Sequence, residues 1–404
     1  MNPTIQLEQQ YCAHNYAPLP VVLVRGEGVY VWDDQGKRYL DMMSAYSAVS
    51  HGHCHPRLVR ALSEQAARLA VVSRAFYSDR LAPFLQRLCQ VTGFDMALPM
   101  NSGAEAVETA LKAARKWAYT VKGVAPERAE IIACDGNFHG RTIAVVGLSS
   151  EPQYREGFGP FPAGLKRVAY GDAAALEAAI TADTAAFIVE PIQGEGGIVI
   201  PPRGYLAECA RICKKLNVLL ICDEIQTGMA RTGALFACTH DGVIPDGVVL
   251  GKALGGGLLA VSAFLARREV MEMFQPGDHG STFGGNPLAS AVALEAINVM
   301  LEEGYAERAS RLGHYFLAKL RQINNPLIRE VRGKGLLIGL EVDPAQISAR
   351  VLCEALMQRG ILSKETHHTV VRFAPPLVIT GQQIDDAVSQ IQDVLQVFML
   401  QKGG

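Results

Sequence analysis

An α/β fold is predicted for this chain: a large domain with a mainly parallel sheet between helices, plus a smaller α+β domain. Three observations carry that prediction. Between about residues 98 and 290, short apolar runs ("EIIACDG", "AAFIVEPIQGEGG", "NVLLICDEIQTG", "GVVLGKAL", "VSAFLAR") alternate with longer stretches of helical periodicity. These runs are continuously apolar and do not alternate, as suits strands covered on both faces. Beyond them the pattern changes to long amphipathic helices interrupted by "VRGKGLLIGLEVD" and "TVVRFAPPLV", and the 404 residues exceed one typical core. The expected division is residues 1–50 with the small domain, 51–290 as the large domain and 291–404 as the rest of the small domain.

The elements follow in order. "EGVYVWDDQGKRYLDM" has the aromatic and β-branched content of a hairpin turned by Gln35-Gly36. A helix is expected after Pro56, where Leu58, Leu62 and Leu69 recur at helical spacing. "LPMNSGAEAVETALKAARKWAY" places Asn101-Ser102-Gly103 ahead of a helix whose Val107, Ala110, Leu111, Ala114 and Trp117 form one apolar stripe.

Composition narrows the function. A formal net charge of −2 argues against a nucleic-acid partner. Hydrophobic residues make up 49% of the chain, pointing to a large interior, an oligomer interface or both. No apolar run approaches a membrane span, and no basic residue precedes Arg25, so neither a membrane partner nor a secretory or transit segment is expected. Nine cysteines without a C-x-x-C pair read as thiols of a cytoplasmic protein, with Cys134 and Cys222 as small hydrophobes in apolar runs.

The chemistry centres on "VVLGKALGGGLLA", where Lys252 stands among apolar residues ahead of three glycines. A lysine in such a setting has its pKa pushed down, and the glycines would let backbone approach a ligand closely. Asp223 ends the apolar run "VLLIC", and ligand sites of open α/β sheets lie beyond the carboxyl ends of their strands. A buried structural ion pair explains Lys252 and Asp223 equally well. Ser102 and the helix start behind it could cradle an anion, or Ser102 could be an ordinary N-cap. In "GNFHGRT", Phe138 could stack on a planar ring or fill the core, and Arg141 could clamp a carboxylate. An amine, an aspartate, an anion cradle, an aromatic plate and arginines together describe pyridoxal 5'-phosphate chemistry.

With those residues in view, the sequence resembles the class III aminotransferases of pyridoxal-phosphate fold type I. "VLLICDEIQTGMARTG" followed by "VVLGKALGGG" has that family's aspartate and lysine signatures in order, and "SAYSAVSHGHCHP", "GNFHGRT", "EPIQGEGG", "HGSTFGGNPLAS" and "RFAPPLVI" resemble its ornithine-using branch. The resemblance implies that Lys252 condenses with the cofactor aldehyde and that Asp223 partners the pyridine nitrogen. It also implies that Gln226 bonds the phenolic oxygen, that Phe138 stacks on the ring, and that Ser102, Gly103 and Ala104 hold the phosphate. Thr282 would complete the phosphate site of a neighbouring subunit, hence a homodimer. For substrates it implies Tyr16 and Tyr46 at the α-amino end of ornithine, Arg141 at its carboxylate, and Arg372 at the carboxylate of glutamate or 2-oxoglutarate. Glu195 would cover Arg372 while ornithine is bound. Two positions depart from the family pattern: His139 stands where relatives often carry Trp, and Cys222 where Ala is common. The competing readings within the family are an acetylornithine, γ-aminobutyrate or other terminal-amine aminotransferase, and an aminomutase.

Other patterns fail on spacing. "HGHCHP" at 51–56 lacks the usual zinc ligand spacing and reads as a helix entry, so no metal is expected. Gly251-Lys252 is followed by Ala253, not Ser or Thr, and "GEGG" has Val199 where a dinucleotide fingerprint needs its third glycine. Arg74 and Arg231 are expected to be structural.

Overall fold

The computed structural model describes residues 2–402. Among the described residues, fifteen strands form three sheets. The largest has the order β4 (Met96–Met100), β10 (Ser262–Ala266), β9 (Gly247–Leu250), β8 (Leu219–Asp223), β7 (Thr184–Val189), β5 (Glu130–Cys134) and β6 (Leu165–Val168). Only β10 is antiparallel to its neighbours. Every residue of β7, β8, β9 and β10 is buried, which is why these strands read as unbroken apolar runs. Neither β4 nor β6 stood out in the sequence. They are the two edges of the sheet: "MALPM" carries a proline and "LKRV" two cations, and an edge strand tolerates both.

The helix Gly103–Trp117 packs on this sheet, and all five residues of its expected stripe are buried. Ser102 caps it in a full capping box with Glu105. The helix after Pro56 ends at Ala66, so Leu69 lies beyond its helical face.

A second sheet joins β1 (Leu23–Glu27), β2 (Tyr30–Asp33) and β3 (Arg38–Asp41) to β13 (Ile361–Leu362), bringing the N-terminal hairpin onto the C-terminal part. The third is β11 (Ile328–Lys334), β12 (Leu337–Val342), β15 (Val370–Phe373) and β14 (Lys364–Thr366). The helix Pro287–Glu302 runs through residue 291 and packs on the helices Pro56–Ala66 and Leu81–Thr92. The change of pattern read near that position therefore falls inside one helix. No helix among the described residues is long and apolar enough to cross a membrane.

Candidate active site

The large sheet delivers its functional groups from strand ends, where parallel strands leave a crevice. Asp223 is the last residue of β8, and Lys252 follows β9 after Gly251. Glu190 follows β7, Phe138 and His139 follow β5, and Gly103 follows β4. Gly103, Ala104, Phe138, His139, Gly140, Glu190, Asp223, Ile225, Gln226, Thr227 and Lys252 line one cavity of about 170 Å³. Lys252 has a φ of 45°, a left-handed backbone that a residue with a Cβ adopts only when its surroundings impose it. Burial lowers its pKa, against the opposing fields of Glu195 and Asp223.

Asp223 is buried and fully oriented. Its Oδ1 accepts the Ile225 N–H at 3.0 Å, and its Oδ2 faces His139 Nδ1 at 2.7 Å. Burial alone would discharge His139, but the bond and charge of Asp223 raise its pKa on balance. His139 Nε2 is buried without a partner among the described residues. The sequence marked His139 only as a departure; that it orients Asp223 depends on two strand ends meeting.

Glu190 was absent from the sequence reading although it opens "EPIQGEGG". Its carboxylate accepts the N–H groups of Phe138 at 2.8 Å and Gly194 at 3.2 Å. Burial, with Asp223 adding, pushes its pKa from the ordinary 4.5 to about 7 despite His139 and those two bonds. A carboxyl raised on folding makes the folded chain hold more protons than the unfolded one between those values, so stability falls as pH rises through that window. In cofactor-free protein, the melting temperature of Glu190→Gln relative to wild type is expected to climb from pH 5 to pH 8. A pH-independent difference in thermal melts would contradict it.

A second charged pair lies beside Lys252. Arg372, buried on β15 opposite Gly339, donates from Nη1 to Glu195 Oε1 at 2.5 Å, and its Nε is buried without a partner among the described residues. Burial opposes ionisation of Glu195, yet Arg372 and then Lys252 hold its pKa below the ordinary value. Thr366 Oγ1 donates to the Glu195 carbonyl at 2.5 Å, and Gln226 Nε2 lies 3.5 Å from Glu195 Oε1. A Cβ on Gly194 would stand 1.8 Å from Gln226 Oε1, so any larger residue there would displace the Gln226 side chain. The Arg372 guanidinium also covers the Tyr46 ring at 4.8 Å. Tyr46 sits in a run of four left-handed residues, Ser44 to Ser47, with φ from 43° to 75°, each costing about 1–2 kcal/mol.

Other predicted residues are more open. Arg141 is exposed, its guanidinium 3.5 Å from the Tyr154 ring centroid and 5.3 Å from that of Phe138. Tyr16 is 78% exposed but close enough to Tyr46 to act on its phenol. Thr282 is exposed and does not line the cavity of its own chain. The Ser102 hydroxyl accepts the Glu105 N–H and its own N–H donates to Glu105, which leaves the N–H groups of Gly103 and Ala104 without intrahelical acceptors. The glycines behind Lys252 do not meet the cavity as the sequence suggested. A Cβ on Gly256 would strike Leu58, and one on Gly257 would press on Val49, so they serve packing of the turn. The "HGHCHP" histidines are engaged elsewhere: His51 with the Ala296 carbonyl, His53 with Asp41 and His55 with Glu303.

An amine, an oriented carboxylate and the first N–H groups of a helix thus line one crevice. A profile of the family "Aminotransferase class-III" matches residues 11–395. The chain is a class III aminotransferase.

Its relatives are close. It is 57% identical over 390 residues to an ornithine aminotransferase of Geobacillus sp. (strain WCH70), covering 96% of this chain and 97% of the relative. An ornithine aminotransferase structure from Toxoplasma gondii, with partial occupancy of pyridoxal phosphate, superposes with a TM-score of 0.98 at 46% identity over 99% of this chain and 95% of that one. An acetylornithine aminotransferase from Elizabethkingia anophelis matches with a TM-score of 0.89 at 49% identity over 98% of both chains. The fold is the family's fold type I, the enzyme is a transaminase, and its cofactor is pyridoxal phosphate. The residues fit that group: buried Asp223 and unpartnered His139 Nε2 at the crevice floor, Lys252 beside them, and the Gly103 and Ala104 donors at one end.

Proposed function

We propose that the aminotransferase moves the terminal amino group of L-ornithine to 2-oxoglutarate, giving glutamate 5-semialdehyde, which closes to pyrroline-5-carboxylate, and glutamate. The observation that carries this reading is the Glu195–Arg372 pair beside Lys252. One crevice must accept a donor that reacts at an amine far from its carboxylate and an acceptor that reacts next to one. With Glu195 on Arg372 the guanidinium is neutralised and the donor enters amine first. With Glu195 displaced, Nη1 and Nη2 present the parallel pair of donors that takes a carboxylate bidentately. The ornithine aminotransferases at 57% and 46% identity support the choice of donor.

Pyridoxal phosphate, when bound, supplies an aldehyde that captures the amine and a ring that takes up electrons. Gly103, Ala104 and Ser102 would hold its phosphate, with Thr282 supplied by a second copy. Phe138 would cover one ring face, Gln226 would meet the phenolic oxygen, and Asp223, steadied by His139, would place fixed negative charge at the ring nitrogen. Neutral Nζ of Lys252 takes a proton from the carbon bearing the reacting nitrogen, holds it and returns it later. Tyr16, Tyr46 and Arg141 would hold the α-amino and carboxylate end of ornithine.

A homodimer is part of the same reading. Thr282 does not line its own chain's cavity, while Phe76, Tyr77 and Phe283 are exposed on two segments whose ends meet where the Leu288 N–H donates to the Ala70 carbonyl. Exposed aromatics grouped in this way suit an interface. Nine unpaired cysteines suit a cytoplasmic setting, in metabolism that joins arginine-derived ornithine to proline.

Steady-state turnover with 2-oxoglutarate tests the substrate. Ornithine is expected to exceed N-acetylornithine in kcat/KM by about tenfold or more, since losing a hydrogen-bonded charge costs about 1.5–3 kcal/mol. A preference for N-acetylornithine would replace this reading with its competitor.

A further inference from the structure

We infer that Arg231 is a positioning residue that fixes Tyr46 against Arg372 and so sets how the site meets a substrate carboxylate. The inference rests on the role given to Arg372 in the proposed function. Arg231 is fully buried and makes no ion pair among the described residues. Its Nη1 donates to the carbonyls of Leu336 at 3.0 Å and Pro375 at 2.6 Å. Its Nη2 donates to the hydroxyls of Ser44 at 3.3 Å and Ser50 at 2.9 Å.

Those four acceptors share a geometry. Ser44 opens the left-handed run that carries Tyr46, and Ser50 closes the loop behind it. Pro375 lies three residues beyond Arg372, and Leu336 leads into the strand paired with it. The links continue around the guanidinium: Ser44 Oγ donates to the Ala374 carbonyl at 2.5 Å, the Ala374 N–H to the Met42 carbonyl at 2.7 Å, and the Leu377 N–H to the Ser50 carbonyl at 2.8 Å. Asp41 takes the N–H groups of Met43 and Ser44, both at 2.8 Å.

Burying a cation without a direct counter-charge costs more than filling the space with an apolar side chain. What a guanidinium adds is a planar fork of donors at fixed spacing. Here the fork holds the turn bearing Tyr46 and the strand end bearing Arg372 at one separation. A lysine offers a single point of donation and cannot span both.

A double-mutant cycle on the holoenzyme tests this, with Arg231→Lys, Ser50→Ala and Tyr46→Ala read in two assays. One assay is kcat and KM for 2-oxoglutarate. The other is the calorimetric Kd of glutarate, a dicarboxylate with no group to react. Arg231→Lys is expected to raise both KM and Kd about tenfold, as small misplacement of binding groups does, with kcat changed less than KM. Ser50→Ala should move them in the same direction by a smaller factor. In the Tyr46→Ala background neither substitution should weaken glutarate binding further.

Losses that add to that of Tyr46→Ala, or a fall in kcat and melting temperature with KM and Kd unchanged, would overturn the inference. If Arg231→Lys does not fold, Ser50→Ala carries the same cycle. A wild-type enzyme that binds glutarate but ignores ornithine would refute the proposed donor and leave Arg231's role standing; one that does not bind glutarate would overturn the role.

Discussion

Lys252→Ala is expected to lower kcat/KM for every amino donor by at least about 10²–10⁴-fold, the range supplied by a positioned acid–base group. The reason lies in where the nitrogen sits. It follows a buried strand on a left-handed residue, and desolvation shifts it toward the neutral form that can accept a proton. Glu195 and Asp223 pull the other way, so the amine can also carry a proton when required. The fold should survive, because alanine removes a side chain that makes no hydrogen bond to the described residues and relieves the burial of a charge. Lys252→Arg is the sharper control: an arginine keeps the charge but stays protonated across the working range. It should be as inactive as the alanine variant. Near-normal turnover in either, with circular dichroism unchanged, would remove Lys252 from the mechanism. A reduced cofactor adduct found by mass spectrometry on a peptide without Lys252 would do the same.

Glu195→Ala should change which donor the enzyme prefers. In the resting pair, Arg372 Nη1 is occupied and its field neutralised; without Glu195 the guanidinium stands uncovered beside Lys252. Glutamate, which presents a carboxylate next to its reacting carbon, gains a permanently free partner. Ornithine loses the negative charge that kept its own carboxylate from entering first. The ratio of kcat/KM for glutamate over ornithine is therefore expected to rise by about tenfold or more, equivalent to about 1.4 kcal/mol or more. That is modest beside the coupling of buried charge pairs, about 1.5–7 kcal/mol in measured cycles. Glu195→Gln should give a smaller change, since an amide still covers the site but donates as well as accepts. An unchanged ratio in both variants would mean that the pair is structural.

Much of the fold was legible in the chain. Continuous apolar runs gave β5, β7, β8, β9 and β10, and the stripe from Val107 to Trp117 gave the helix that packs on them. The edge strands β4 and β6 were not, because an edge strand need not be apolar on both faces. The glycines after Lys252 misled for a related reason: a glycine announces close approach but not of what, and here the neighbours are Leu58 and Val49.

The sequence by itself determined that Asp223 and Lys252 face one crevice. Asp223 and Lys252 each sit within a few residues of a strand whose pattern is local, so their delivery to one crevice follows from the layering of a parallel sheet. Tertiary structure alone decided what surrounds them. Glu195 meets Arg372 across 177 residues of chain, and His139 meets Asp223 across 84. Arg231, whose neighbours in the chain give no second signal of a role, becomes a buried link between three distant segments. Such pairings depend on which surfaces the packed domains press together, and that is set by the summed burial of the whole core, not by the few residues on either side of each charge.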